Sequence, residues 1–159
     1  MYRAWAISGA ILLLCACDVV EKRYQAFSDI PQQDSVRSWL PDFFPETAVD
    51  ITFVSNLDMN TFHACFSQPA ADKNDLLKTA SRATAEGLAW LNQQNVNIVR
   101  AACFRSEYNK WGEARVGYYI VGKLLADNRY YIGSMGDEQA ERYCTSGAVR
   151  RTSPRSLTD

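Results

Sequence analysis

His63, the chain's one histidine, stands two residues before Cys65. The pair is the first place to look for a nucleophile beside its general base. Phe62, Ala64 and Phe66 alternate with Thr61, His63, Cys65 and Ser67, which puts His63 and Cys65 on one face of a strand. Neighbours on such a face stand roughly 7 Å apart, too far for the hydrogen bond of a dyad. A solvated strand face is expected. Asn56-Leu57-Asp58-Met59-Asn60 spaces oxygen ligands like the opening of a calcium loop, but Thr61 replaces the required Gly and Ser67 the bidentate Glu. A hairpin turn is expected there. Asp42, Glu46 and Asp50 are evenly spaced carboxylates, yet Pro45 breaks the helix that would align two of them for glycoside hydrolysis. No phosphate-binding glycine loop and no Gly-x-Ser-x-Gly elbow occurs. No catalytic residue, cofactor or metal is assigned, and the expectation is a protein that is not an enzyme.

Chemistry of another kind is written at the start. Arg3 is followed by an uncharged run from Ala4 to Leu14. That run is too short for a bilayer core of about 30 Å, which asks for roughly 20 apolar residues, and it fits the hydrophobic part of a secretory leader. The next step, Leu14-Cys15-Ala16-Cys17, resembles the lipobox of bacterial lipoproteins. The resemblance implies that residues 1–16 are a signal peptide removed by cleavage. It also implies that the Cys17 thiol carries diacylglycerol and that the new amino group is acylated. Cys15 is the rival, but bulky Leu13 and Leu14 precede it where a small residue is needed. At about 0.8 kcal/mol per buried methylene, such chains make a lasting membrane anchor. The implied residence is the bacterial cell envelope, facing the periplasm. Asp18 resembles the inner-membrane retention signal of enteric lipoproteins, a rule that differs between bacterial groups, so both membranes stay open.

Beyond the leader 143 residues remain, with 16 basic against 18 acidic side chains. That is enough for one domain with a core, and a near-neutral balance argues against a nucleic-acid partner. Cys65, Cys103 and Cys144 are left, so at most one internal disulfide forms. Cys103 with Cys144 is favoured because it would staple a short C-terminal segment to a central strand, though connectivity stays open. None of these cysteines has the close spacing of a structural zinc site.

The elements that position these residues are read in chain order. Residues 17–29 form the lipidated N-terminus and a tether, 30–145 a globular domain, and 146–159 a disordered tail whose Arg150, Arg151 and Arg155 are solvated. A helix runs from Pro31 through Val36 and Trp39 until Pro41 stops it. Pro41 and Pro45, with Trp39, Phe43 and Phe44 around them, make a rigid aromatic corner leading into a strand. Trp39-Leu40-Pro41 with Pro45 resembles a segment of small uncharacterised bacterial lipoproteins over residues 30–66; Ser38 stands where those relatives often have Gly. No activity is implied.

Strands are expected at 50–57, with Ile51, Phe53 and Leu57 on one face, and at 61–67, forming a hairpin. A long helix, capped by Asp72, is expected over 73–93, with Leu77, Ala80, Thr84, Leu88 and Leu91 as its apolar stripe. Gly87 costs about 1 kcal/mol there and points to close packing. Strands at 97–106, 114–125 and 129–135 follow, then a helix at 138–144 capped by Asp137. The expected fold is α+β: a five-stranded antiparallel sheet with one long helix packed on it and short flanking helices. Its ββαβββ core suits a strand order 2-1-5-4-3, as in profilin-like or roadblock-like domains.

Tyr108 and Trp111 fall at a hairpin tip, where large amphipathic side chains anchor interfaces. Tyr118-Tyr119 and Tyr130-Tyr131 each send one ring to either face, so one of each pair should be exposed. The functional expectation is a lipid-anchored, non-enzymatic envelope protein. It binds another macromolecule, a protein partner, through its sheet surface and aromatic hairpin, in a sharper form as an immunity or inhibitor protein. The alternative is a structural or assembly accessory of an envelope complex, with an enzyme of unrecognised type ranked behind both.

Overall fold

The structure, a computed structural model, describes residues 19–69, 75–78, 80–94, 97–110, 112–125 and 128–145. Seven strands form one antiparallel sheet: β1 (Val19–Ala26), β2 (Val49–Asn56), β3 (Thr61–Ser67), β4 (Ser81–Arg82), β5 (Ile98–Lys110), β6 (Glu113–Leu124) and β7 (Arg129–Met135). Their order is β1-β2-β3-β7-β6-β5-β4. The helices are short: α1 (Ser35–Trp39), α2 (Ala85–Asn92) and α3 (Asp137–Tyr143).

Period-two alternation explains the core. Phe53 on β2, Phe62 and Phe66 on β3, Ile132 on β7, Val121 on β6 and Phe104 on β5 all point to one face, where the segment carrying Ile30, Val36, Phe44 and Ala48 covers them. On the other face Cys103, Ile120 and Tyr131 lie beneath Leu91 of α2 and Ala140 and Tyr143 of α3. That second cover spans only the β5–β6–β7 half. On β3 the same face presents an exposed His63 and half-buried Thr61, Cys65 and Ser67.

Three expectations are corrected. The supposed tether at 17–29 is, from Val19 onward, edge strand β1, paired along β2 from Val19 opposite Asn56 to Ala26 opposite Val49. Val20, Lys22, Tyr24 and Ala26 face inward, and of these Tyr24, opposite Ile51, packs against the core, while Glu21 and Arg23 stand on the other face. These charges hide it from a hydrophobicity pattern.

The long helix is the second correction. Leu77 is buried on the face covered by the aromatic corner, whereas Leu91 is buried on the opposite face. The stripe is therefore not one stripe: the chain passes round the sheet edge as β4, and α2 begins only after Thr84, whose hydroxyl accepts the Gly87 N–H at 3.1 Å. Asp72, its expected cap, lies outside the described residues.

Third, the sheet has seven strands, not five, and the hairpin enters it the other way round. Because β1 occupies the outer edge of β2, only β3 is left to meet β7, and it does so from His63–Gly133 to Ser67–Arg129. The expected β7-β6-β5 run is present. Leu57, expected on the inward face of the first strand, sits instead in the β2–β3 turn and is exposed.

Candidate functional site

The aromatic corner is built before it can shape a site. Asp34 caps α1 by accepting the Val36 N–H at 2.9 Å, and Pro41 then forces a turn closed by Phe44 N–H donating to Pro41 O at 2.8 Å. Arg37 fastens the start of the segment, donating to the carbonyls of Ile30 at 2.8 Å and Phe27 at 3.2 Å. Phe43 stacks on Phe104 at 4.3 Å, and Phe44 meets Phe66 at 4.6 Å. Trp39 stands edge-on to Phe62 at 6.1 Å and stays half-buried.

Beside this corner the sheet parts. Pairing of β3 with β7 stops at His63–Gly133; beyond it the Ser134 hydroxyl stands in, accepting the Phe62 N–H at 2.9 Å and donating to the Phe62 carbonyl at 3.2 Å. On the far side β5 and β6 run on as a hairpin past Tyr118–Met135, the last β6–β7 pair. The corner, the parting and the hairpin enclose a cleft of about 540 Å³. Trp39 and Pro41 form one wall, Tyr108 the other, and buried Phe62 and Tyr119 line its base. Gly117 leaves room for the Tyr119 ring: a Cβ there would fall 2.5 Å from the Tyr119 hydroxyl and push it aside.

Tyr108 is 40 % exposed and follows buried Phe104 and Ser106 at a spacing of two along β5, so it belongs to the corner's face of the sheet. Trp111, expected beside it, lies outside the described residues, as do Cys17 and the arginines of the tail. Burial pushes Tyr119 up to about 12, with Tyr108 and Asp42 adding to the shift. The tyrosine pairs depart from expectation: Tyr119, Tyr130 and Tyr131 are all buried and Tyr118 is half-buried, because both faces are covered at β6 and β7. In the sequence the prolines following Trp39 signal a packing corner, but its meeting with Tyr108 across the cleft depends on the β3–β7 register.

The other candidates stay apart from this cleft. His63 stacks on Tyr131 at 5.6 Å on the opposite face. Packing against the Tyr131 ring desolvates the otherwise exposed His63 and lowers its basicity, while burial raises the Cys65 thiol, both away from an activated dyad. Asn56 closes the β2–β3 turn, accepting the Met59 N–H at 3.0 Å, and Asn60 there has φ +49°. Asp42, Glu46 and Asp50 are exposed. Among the described residues no group of three or more His, Cys, Asp or Glu side chains is placed to hold a metal ion. Cys103 and Cys144 are joined by a disulfide, and Cys65 is free.

Residues 18–67, which carry β1, the aromatic corner, β2 and β3, match the family model of the YbbD head domain. The chain is thus similar to that family over three of the sheet's seven strands. No solved structure matches it.

Proposed function

We propose that this protein is a non-enzymatic binding protein of the bacterial cell envelope, anchored by acylated Cys17 and engaging a protein partner through the cleft between aromatic corner and β5–β6 hairpin. Tyr108 carries the reading: a large amphipathic ring, exposed on a cleft wall that faces Trp39 and Pro41. Tyrosine and tryptophan at the rim of a cleft supply contact area at low entropic cost, which is how interface anchors work. Anchoring rests on the lipobox-like Leu14-Cys15-Ala16-Cys17. The sharper form is an immunity or inhibitor protein that occupies a toxin or lytic enzyme; a small anchored domain with one aromatic cleft suits that task.

Crosslinking and pull-down from intact envelopes with the lipidated protein, compared with Tyr108→Ala, is the test. A partner captured by the parent and lost with the variant supports the reading; capture undiminished in the variant refutes the cleft as its site. A second reading, an assembly accessory of an envelope complex, is favoured by the outer edge of β1, which pairs with no described strand. Co-purification that survives Tyr108→Ala but fails when β1 is altered would select it.

A further inference from the structure

Exposed apolar side chains are unevenly placed. Among the described residues eight large ones are exposed, and six of them, Val19, Val20, Leu57, Met59, Tyr108 and Val116, lie toward one end of the sheet. Register is the reason. Val19 pairs with Asn56, so the start of β1 is level with the β2–β3 turn that carries Leu57 and Met59, 51 % and 69 % exposed. Val99 and Leu125 lie at the opposite end, where Leu125 N–H donates to Asn97 O.

We infer that the corner formed by Val19, Val20, Leu57 and Met59 seats on the lipid surface itself. The chain names the occupant: Cys17 precedes Val19 by two residues, a reach of roughly 7 Å at full extension. Acyl chains at that position bring this corner to headgroup depth and hold Val99 and Leu125 away from it. Leu and Met side chains at that depth gain by leaving water, and a second hydrophobic contact beside a lipid chain strengthens surface attachment. The inference rests on acylation of Cys17 and deepens it: with β1 starting at Val19 the domain is docked on the bilayer rather than carried on a tether. The cleft, lined by Asn60 and Phe62 near the same turn, then meets its partner close to the membrane.

The full-length lipidated protein, reconstituted in phosphatidylethanolamine–phosphatidylglycerol vesicles containing a phospholipid with a diazirine near its headgroup, is irradiated and digested. Adducts are expected on the peptides holding Val19–Val20 and Leu57–Met59, at about tenfold or more the yield on those holding Val99 and Leu125. The double variant Leu57→Asp, Met59→Asp, whose sites are exposed and leave the fold intact, should lose the turn adducts while its N-terminal peptide keeps the acyl mass. An acylated chain whose corner adducts are no more frequent than those at Leu125 overturns the inference and leaves the anchor standing. An N-terminal peptide without acyl groups overturns both.

Discussion

The Asp34 carboxylate lies 2.8 Å from the Lys22 ammonium and also accepts the Tyr24 hydroxyl at 2.9 Å. A single side chain thus caps α1 and ties that helix to edge strand β1. The Lys22 hydrogen bond first, then the Val36 amide, hold Asp34 down at about 2, against an ordinary 3.8. A carboxylate lowered in this way stabilises the fold fully above its ordinary value, and the contribution is lost as pH falls toward 2. Asp34→Asn should therefore lower the melting temperature at neutral pH and flatten its fall between 3.8 and about 2. An unchanged acid limb in thermal melts would show that another group sets it. Burial foremost, then the bond to Asp34, raises Tyr24 from 10.0 to about 12. Its contribution is present below 10.0 and is lost as pH rises through 12.

Gly87 is held by α3. A Cβ on it would fall 2.7 Å from the Tyr143 carbonyl oxygen and 2.9 Å from the Tyr143 Cβ. The first of these is backbone and cannot swing away. Gly87→Ala should therefore destabilise by about 1–3 kcal/mol, although helix propensity alone would favour it by about 1 kcal/mol. Denaturant unfolding that finds the variant more stable would mean α2 and α3 are not so closely packed.

The Cys103–Cys144 disulfide spans 41 residues and ties the end of α3 to β5. Closing a loop of that length in the unfolded chain is worth about 4 kcal/mol in the chain-entropy model. Cys103→Ala with Cys144→Ala should lose stability on that order. Loss below about 1 kcal/mol would assign the hold on α3 to packing of Tyr143 and Ala140 alone.

Cys65 should be a slow thiol. Burial raises it, with the Arg129 charge only partly opposing, while burial also lowers His63. Alkylation of Cys65 by iodoacetamide in the folded protein at neutral pH should run roughly tenfold or more slower than in denaturant. His63→Ala should leave that rate where it is. A several-fold drop in the variant would mean that His63 activates the thiol after all.

Legibility in the sequence followed how local each constraint was. The β2–β3 hairpin could be read from Phe62, Ala64 and Phe66 because alternation is written within seven residues. Gly87 signalled close packing because a glycine inside a helix needs a reason. β1 was hidden because its one inward ring, Tyr24, sits among Glu21, Lys22 and Arg23, and Lys22 turns inward only to reach Asp34. The division of Leu77 and Leu91 between opposite faces was hidden too, since helical spacing cannot report a sheet edge crossed between them. Tyr108 was singled out for its type and place in a hairpin. The cleft around it was not, because its opposite wall comes from Trp39 and Pro41, about seventy residues away in the chain.

Tyr108 is exposed and fastened to β5 by its backbone, so Tyr108→Ala should leave the melting temperature within about 0.5 kcal/mol equivalent of the parent. Truncating a tyrosine anchor at an interface costs about 2 kcal/mol or more. The affinity of the lipidated protein for the partner captured from envelopes, measured for parent and Tyr108→Ala side by side, is the most direct measurement. A loss of about thirtyfold or more with the fold intact is the expected result. An affinity unchanged within error would place the binding surface elsewhere on the sheet.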